Sequence, residues 1–184
     1  MSIKLLKKIT GIVRGISGDD FFIVGGAVRD TLYGADPKDY DCVLCAPYLD
    51  EAGAHHYLEG LAEDFAMLGC GVKVYQSYGI NLGEEVNPTS FQAMFLGCMK
   101  VSMEHCQLDI LISSEKDIRA HVKRHDCNMN MVWFDGQDIR WEHGGATPKV
   151  DTLVFHPDVC EERIARMDKK RHALVALDLI PNLN

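Results

Sequence analysis

The stretch Phe21-Phe22-Ile23-Val24-Gly25-Gly26-Ala27-Val28-Arg29-Asp30-Thr31-Leu32-Tyr33-Gly34-Ala35-Asp36-Pro37-Lys38-Asp39-Tyr40-Asp41-Cys42-Val43-Leu44 decides how the rest of the chain reads. Phe21 to Val24 is an apolar run with the length of a short buried strand. Gly25 and Gly26 end it, and neither carries a Cβ that would keep the backbone away from a bound group. Ala27 to Tyr33 reads as a short helix that Gly34 terminates. A strand, two glycines and a helix start together aim free backbone N–H groups at an anion. Arg29, in the first turn, is placed to bring its guanidinium to the same anion.

Asp39-Tyr40-Asp41 opens a second apolar strand that runs on to Cys45. Residues two apart in a strand share a face, so the two carboxylates converge while Tyr40 turns away. Like charges held so close repel unless a cation lies between them. Hard oxygen donors suit Mg²⁺ or Mn²⁺. An anion cradle beside paired carboxylates is what metal-assisted phosphoryl transfer needs.

Gly25, Gly26, Val28, Arg29, Asp30, Leu32, Gly34, Asp39 and Asp41 match, without a gap, nine positions in seventeen of a known signature. The segment resembles the head-domain signature of class II CCA-adding enzymes and bacterial poly(A) polymerases: Gly-Gly-x-Val-Arg-Asp-x-Leu-x-Gly, four residues, Asp-x-Asp. The resemblance implies an α+β, polymerase-β-like nucleotidyltransferase fold. We expect a mixed, mainly antiparallel sheet of about five strands with helices packed on one face. It also implies that Gly25, Gly26 and Arg29 hold an NTP (ATP or CTP) and that Asp39 and Asp41 bind Mg²⁺ or Mn²⁺. The family places a third carboxylate on the strand next to Asp-x-Asp, and Asp109 in Leu108-Asp109-Ile110-Leu111-Ile112 fills that place. An ionisable group inside an apolar strand is costly unless paired or metal-bound. Where the family continues into Thr-x-Arg, this chain has Ser113-Ser114.

Arg124-His125-Asp126-Cys127-Asn128-Met129-Asn130-Met131 resembles the family's Arg-Arg-Asp-Phe-Thr-x-Asn-Ala, with Arg124, Asp126 and Asn130 in register and His125 in the place of an arginine that contacts nucleotide. A neutral histidine there implies weaker triphosphate binding or a different geometry. Asp126 and Asn130 would hold the ribose, orient the motif or simply cap a helix end. His125-Asp126 also spells the dipeptide of HD phosphohydrolases, but those need His and Asp ligands on helices, and Met129 to Phe134 is strand-like. His121 and His125 share a helix face, with no third metal ligand in view. Met167-Asp168-Lys169-Lys170-Arg171 resembles the family's base-reading Glu-Asp-x-x-Arg, with Met167 in the place of Glu. Asp168 and Arg171 would pair with a base; an i, i+3 salt bridge on a solvated helix would look the same.

Elsewhere the chain gives structure rather than chemistry. Ile3, Leu6, Ile9, Val13 and Ile16 have helical spacing. Asp50 to Leu68 is a second helix with Asp50 as its cap. Gly71 to Tyr78 is a strand, Asn81 to Thr89 a loop, and Phe91 to Met103 with Gln107 to Ile112 a hairpin turning at Glu104-His105. Ser114-Glu115-Lys116-Asp117 resembles a capping box that opens a helix reaching Lys123. Met131 to Trp141 is a hairpin around Asp135-Gly136. His156 to Leu177 is a closing helix. Cys42 and Cys45 read as strand thiols, not as a zinc or redox pair.

The 184 residues, 47% of them hydrophobic, suffice for one domain with a real core. Residues 1–155 would be the head domain and 156–184 a C-terminal helix, the remnant of the family's neck. Seven cysteines and no leader pattern point to reduced thiols in a cytoplasm, and no apolar run is long enough to cross a membrane. With 27 acidic and 19 basic residues the net charge is −8, which argues against a broad RNA footprint. The acceptor is left open among an RNA 3′ end, a small molecule and a protein side chain, with a partner subunit as a further expectation. The alternative is a catalytically weak nucleotide-binding or partner-binding module that retains the pocket.

Overall fold

The computed structural model describes residues 3–75, 91–104 and 106–178. The loop expected at Asn81–Thr89, the far end of the strand expected to reach Tyr78, and His105 at the hairpin turn lie outside them. In chain order the elements are α1 (Ile3–Ser17), β1 (Phe22–Val24), α2 (Gly26–Leu32), β2 (Asp39–Cys45), α3 (Glu51–Met67), β3 (Gly71–Tyr75), β4 (Phe95–Ser102), β5 (Gln107–Ser113), α4 (Ile118–Lys123), β6 (Val132–Phe134), β7 (Ile139–Trp141) and α5 (Glu161–Asp178). Short 3-10 turns precede β4 (Phe91–Met94) and β6 (Asn128–Asn130).

Among the described residues one seven-stranded sheet runs β3-β4-β5-β2-β1-β6-β7, and in it the β2–β5 pair alone is parallel. The class is α+β as expected, with seven strands in place of about five. The hairpin β6–β7 accounts for the difference, because β6 pairs with β1 and so extends the same sheet. Asp135 shapes its turn by accepting from the N–H groups of Gln137 and Asp138, both at 2.8 Å, while Gly136 takes φ 100°.

Strand alternation sorts the side chains into two layers. Ile23, Cys42, Leu44, Ile110, Ile112 and Phe134 pack beneath α1 and α3, which contribute Leu6, Ile9, Val13, Leu58, Leu61 and Phe65. Each large side chain removed from water here is worth about 1.5–3 kcal/mol. α3 lies so close to β4 that a Cβ on Gly97 would stand 2.9 Å from Leu58 Cδ1. Val24, Val43, Leu111 and Trp133 face the other way, against Val122 of α4 and Met94 of the 3-10 turn. Helices therefore cover both faces, not one. The apolar stripe of α4 is too short to have announced a second layer.

Two boundaries move for local reasons. Asp117, not Ser114, caps α4 by accepting from Ala120 N–H at 2.8 Å, while the Ser114 hydroxyl bonds Met94 O. The closing helix starts at Glu161 and packs Met167 and Leu174 into a third cluster with Tyr33, Cys127, Met129 and Val150. Asp50 caps α3 as expected, accepting from Gly53 N–H at 2.7 Å. Cys42 and Cys45 fall in opposite layers of the sheet, and every described cysteine is free.

Candidate functional site

The register of the sheet assembles the carboxylates. Asp41 on β2 is aligned with Asp109 on β5, and Asp39 with Gln107. Period-two alternation places Asp39, Asp41 and Asp109 on the face that α4 covers further along the strands. The rung through Asp41 continues to Val24 on one side and to Lys100 on the other. Because Gly25 follows Val24 directly, the Gly-Gly turn stands next to the carboxylate pair. Sequence spacing predicted the shared face of Asp39 and Asp41; only strand pairing brings Asp109 alongside.

Burial first, then the Asp109 and Asp39 carboxylates, pushes the Asp41 carboxyl up to about 7. Burial also raises Asp109, against the pull of Lys100. Lys100 Nζ stands 3.5 Å from Asp109 Oδ2. Sequence reasoning missed this lysine; its alternation with Cys98 and Ser102 was visible, but its partner was not. Among the described residues, no three His, Cys, Asp or Glu groups are gathered closely enough to hold a metal unaided. Mg²⁺ commonly binds through one or two carboxylates and completes its shell with water and substrate phosphate. Hard, mutually repelling oxygens at Asp41 and Asp109 fit that mode.

Gly25 takes φ 59°, a conformation that favours glycine, and a Cβ there would lie 2.9 Å from His125 Cε1. His125 is thus packed directly behind the turn. Its ring is edge-on to Phe91 and to His121. Burial above all, opposed by Asp126 and aided by Arg163 and Arg29, brings His125 down to about 4. His121 falls to about 2 through burial and its neighbours His125 and Arg124, and its Nδ1 lies 3.0 Å from Ser113 Oγ. Both imidazoles are therefore neutral near pH 7. Each has a buried Nε2 with no partner among the described residues.

Arg29 is 8% exposed and fully engaged inside the protein. Its Nε donates to Asp30 Oδ1 at 2.8 Å and its Nη1 to Asn130 Oδ1 at 2.7 Å. Asn130 Nδ2 donates to Asp126 Oδ1 at 2.6 Å, and Arg163 Nε donates to Asp126 Oδ2. Lys170 Nζ donates to Asp30 Oδ2 at 2.8 Å. The sequence Arg163, Asp126, Asn130, Arg29, Asp30, Lys170 begins and ends on α5, so it forms a closed ring. Met167 sits inside it, with Sδ 3.8 Å from Asn130 Nδ2. Arg163, Met167 and Lys170 lie at i, i+4 and i+7, a helix-face spacing legible in sequence but without a visible target. Burial would raise the Asp126 carboxyl, but Asn130 and Arg163 outweigh it and hold it below the usual carboxylate range.

The remaining expected site residues are placed apart. Arg124 Nη1 bonds Glu115 Oε1 at 3.0 Å. Asp168 is mostly exposed beside His172, 3.7 Å away, while Arg171 donates to the Asp151 carbonyl. Among the described residues Asp168 and Arg171 share no common partner.

No family model and no curated protein matches the chain. Among solved structures it is similar to a tRNA-processing enzyme in an apo form, at 18% identity and TM-score 0.44, over 84% of this chain and 32% of that one. It is also similar to a tRNA nucleotidyltransferase complexed with a primer tRNA and an incoming ATP analogue, at 18% identity and TM-score 0.42, over 81% and 34%. A Thermotoga maritima CCA-adding enzyme complexed with tRNA is similar at 19% identity and TM-score 0.42, over 72% and 29%. The chain spans about a third of the length of each.

Proposed function

We propose that this protein is a metal-dependent nucleotidyltransferase that moves a nucleoside monophosphate from an NTP, ATP or CTP, to an acceptor hydroxyl. What carries the reading is the rung that sets Asp41 beside Asp109 immediately next to the Gly25–Gly26 turn. The nine-position signature of the sequence supports it independently.

Asp41 and Asp109 would hold Mg²⁺ or Mn²⁺, with Asp39 as an exposed additional donor. The ion would supply positive charge at the phosphate oxygens and make the acceptor hydroxyl more acidic. The Gly-Gly turn leaves backbone, not side chain, facing the triphosphate. The acceptor oxygen forms a bond to the α-phosphorus as the bond to the bridging α–β oxygen breaks. Pyrophosphate departs and the hydroxyl proton passes to solvent. Arg29, engaged by Asp30 and Asn130, acts in this scheme by fixing α2 rather than as a free anion ligand. An RNA 3′ end or a small molecule is the proposed acceptor, with a partner subunit as a further source of RNA contacts.

The test is pyrophosphate release with each NTP and Mg²⁺. Asp41→Asn and Asp109→Asn should each lower the rate at least 100-fold while the circular dichroism spectrum stays unchanged. NTP binding without any pyrophosphate release by the wild-type chain would replace this reading with that of a binding module.

A further inference from the structure

We propose that Lys100 is a built-in competitor for the metal position at Asp109: its ammonium group holds that carboxylate until a divalent cation takes it. The inference deepens the proposed metal-dependent reading and rests on it. Lys100 lies directly across from Asp109 in the β4–β5 ladder, on the rung that continues to Asp41. Its Nζ is 3.5 Å from Asp109 Oδ2. The two partners are unequal, since the Lys100 side chain is 54% exposed and that of Asp109 only 15%. Asp109 therefore needs a cation beside it, while Lys100 can swing into water without leaving a buried charge behind.

A divalent ion at Asp109 must displace this ammonium or stand beside it, and either one weakens binding. Lys73 provides the contrast. It is aligned with Lys100 on the same rung, one strand further out, and its ammonium lies over the Tyr75 ring, 4.9 Å from the centroid. Lys73 carries the same charge but sits a strand further from Asp109. Lys100 is accordingly a positioning residue that acts through Asp109.

The experiment titrates Mn²⁺ into nucleotide-free protein and reads free Mn²⁺ by electron paramagnetic resonance. Lys100→Met should tighten binding by roughly three- to tenfold, the size expected for a half-exposed charge. Lys100→Gln should do the same, which guards against a folding defect in one variant. Lys73→Met should change the affinity by less than about twofold. In an Asp109→Asn background, Lys100→Met should no longer tighten binding. Unchanged or weaker affinity in both Lys100 variants overturns the inference, and so does equal tightening by Lys73→Met. In those cases the proposed function still stands, provided Asp41→Asn abolishes Mn²⁺ binding to the otherwise unchanged chain. Absence of Mn²⁺ binding to every variant overturns both.

Discussion

His121 and His125 are neutral, buried and packed against one another, with His125 directly behind the Gly25 turn. Each has a folded pKa lowered from an unfolded value near 6.5, to about 2 and about 4 respectively. The unfolded chain therefore binds more protons than the folded one below pH 6.5. Stability falls as pH drops through 6.5 and goes on falling toward the folded values. Between pH 7 and pH 5 the loss should be about 2 kcal/mol per histidine. His125→Gln, which keeps a polar side chain but cannot titrate, should reduce the pH dependence by about that amount. Urea denaturation of both proteins at pH 7 and pH 5 measures it. Equal pH dependence in the two would mean that His125 is accessible to protons in the native state.

The α5 helix is held by a ring whose members differ in burial, and that difference sets the cost of breaking it. Arg29, Asp30 and Asn130 are buried, whereas Arg163 and Lys170 are more than a third exposed. Lys170→Met should cost about 1 kcal/mol, because solvent screens what remains. Arg29→Met should cost about 3–5 kcal/mol, since it leaves a buried carboxylate and a buried amide without their partner. Thermal or urea unfolding of the two variants compares them directly, and equal costs would contradict the ring as described. Asp126, held below the usual carboxylate range, contributes stability that is present above its unfolded pKa and is lost as pH falls. The sequence placed α5 and its start only approximately, and set Met167 where the resembled motif has a glutamate, with no role of its own. Its burial against Asn130 depends on contacts more than thirty residues apart in the chain.

Across the molecule as a whole, about half of the 19 lysines and arginines pair with carboxylates among the described residues. Beyond the ring, Lys149 pairs with Asp178, Arg140 with Asp135, Arg124 with Glu115, and Arg119 and Lys123 with Glu142. The remaining cations belong to a chain whose acidic residues outnumber its basic ones, 27 to 19, for a net charge of −8, which disfavours a phosphate backbone. Affinity for single-stranded RNA should be modest, and log K against log salt should be shallower than about −3, because the slope counts neutralised phosphates. Fluorescence anisotropy with a labelled oligonucleotide between 50 and 200 mM salt, a range over which stronger phosphate binding changes steeply, measures it. A slope steeper than about −4 would reveal a basic surface that the ion pairs do not show. Among the described residues no helix is long and apolar enough to cross a membrane.

By itself the sequence determined the parts that depend on near neighbours. The Gly-Gly turn, the helix after it, the common face of Asp39 and Asp41, the Asp50 cap and the hairpin at Asp135-Gly136 all follow from local spacing and turn chemistry. Their periods of two and 3.6 residues are fixed by the backbone alone. Tertiary structure decided which strands lie side by side. That alone put Asp109 beside Asp41, Lys100 beside Asp109, β6 on the edge of β1, and Arg29 between Asp30 and Asn130. Strand register is set by ladders between distant segments, and a shift of one residue would turn Asp109 to the other face. No local pattern encodes that choice; the packing of the two layers makes it.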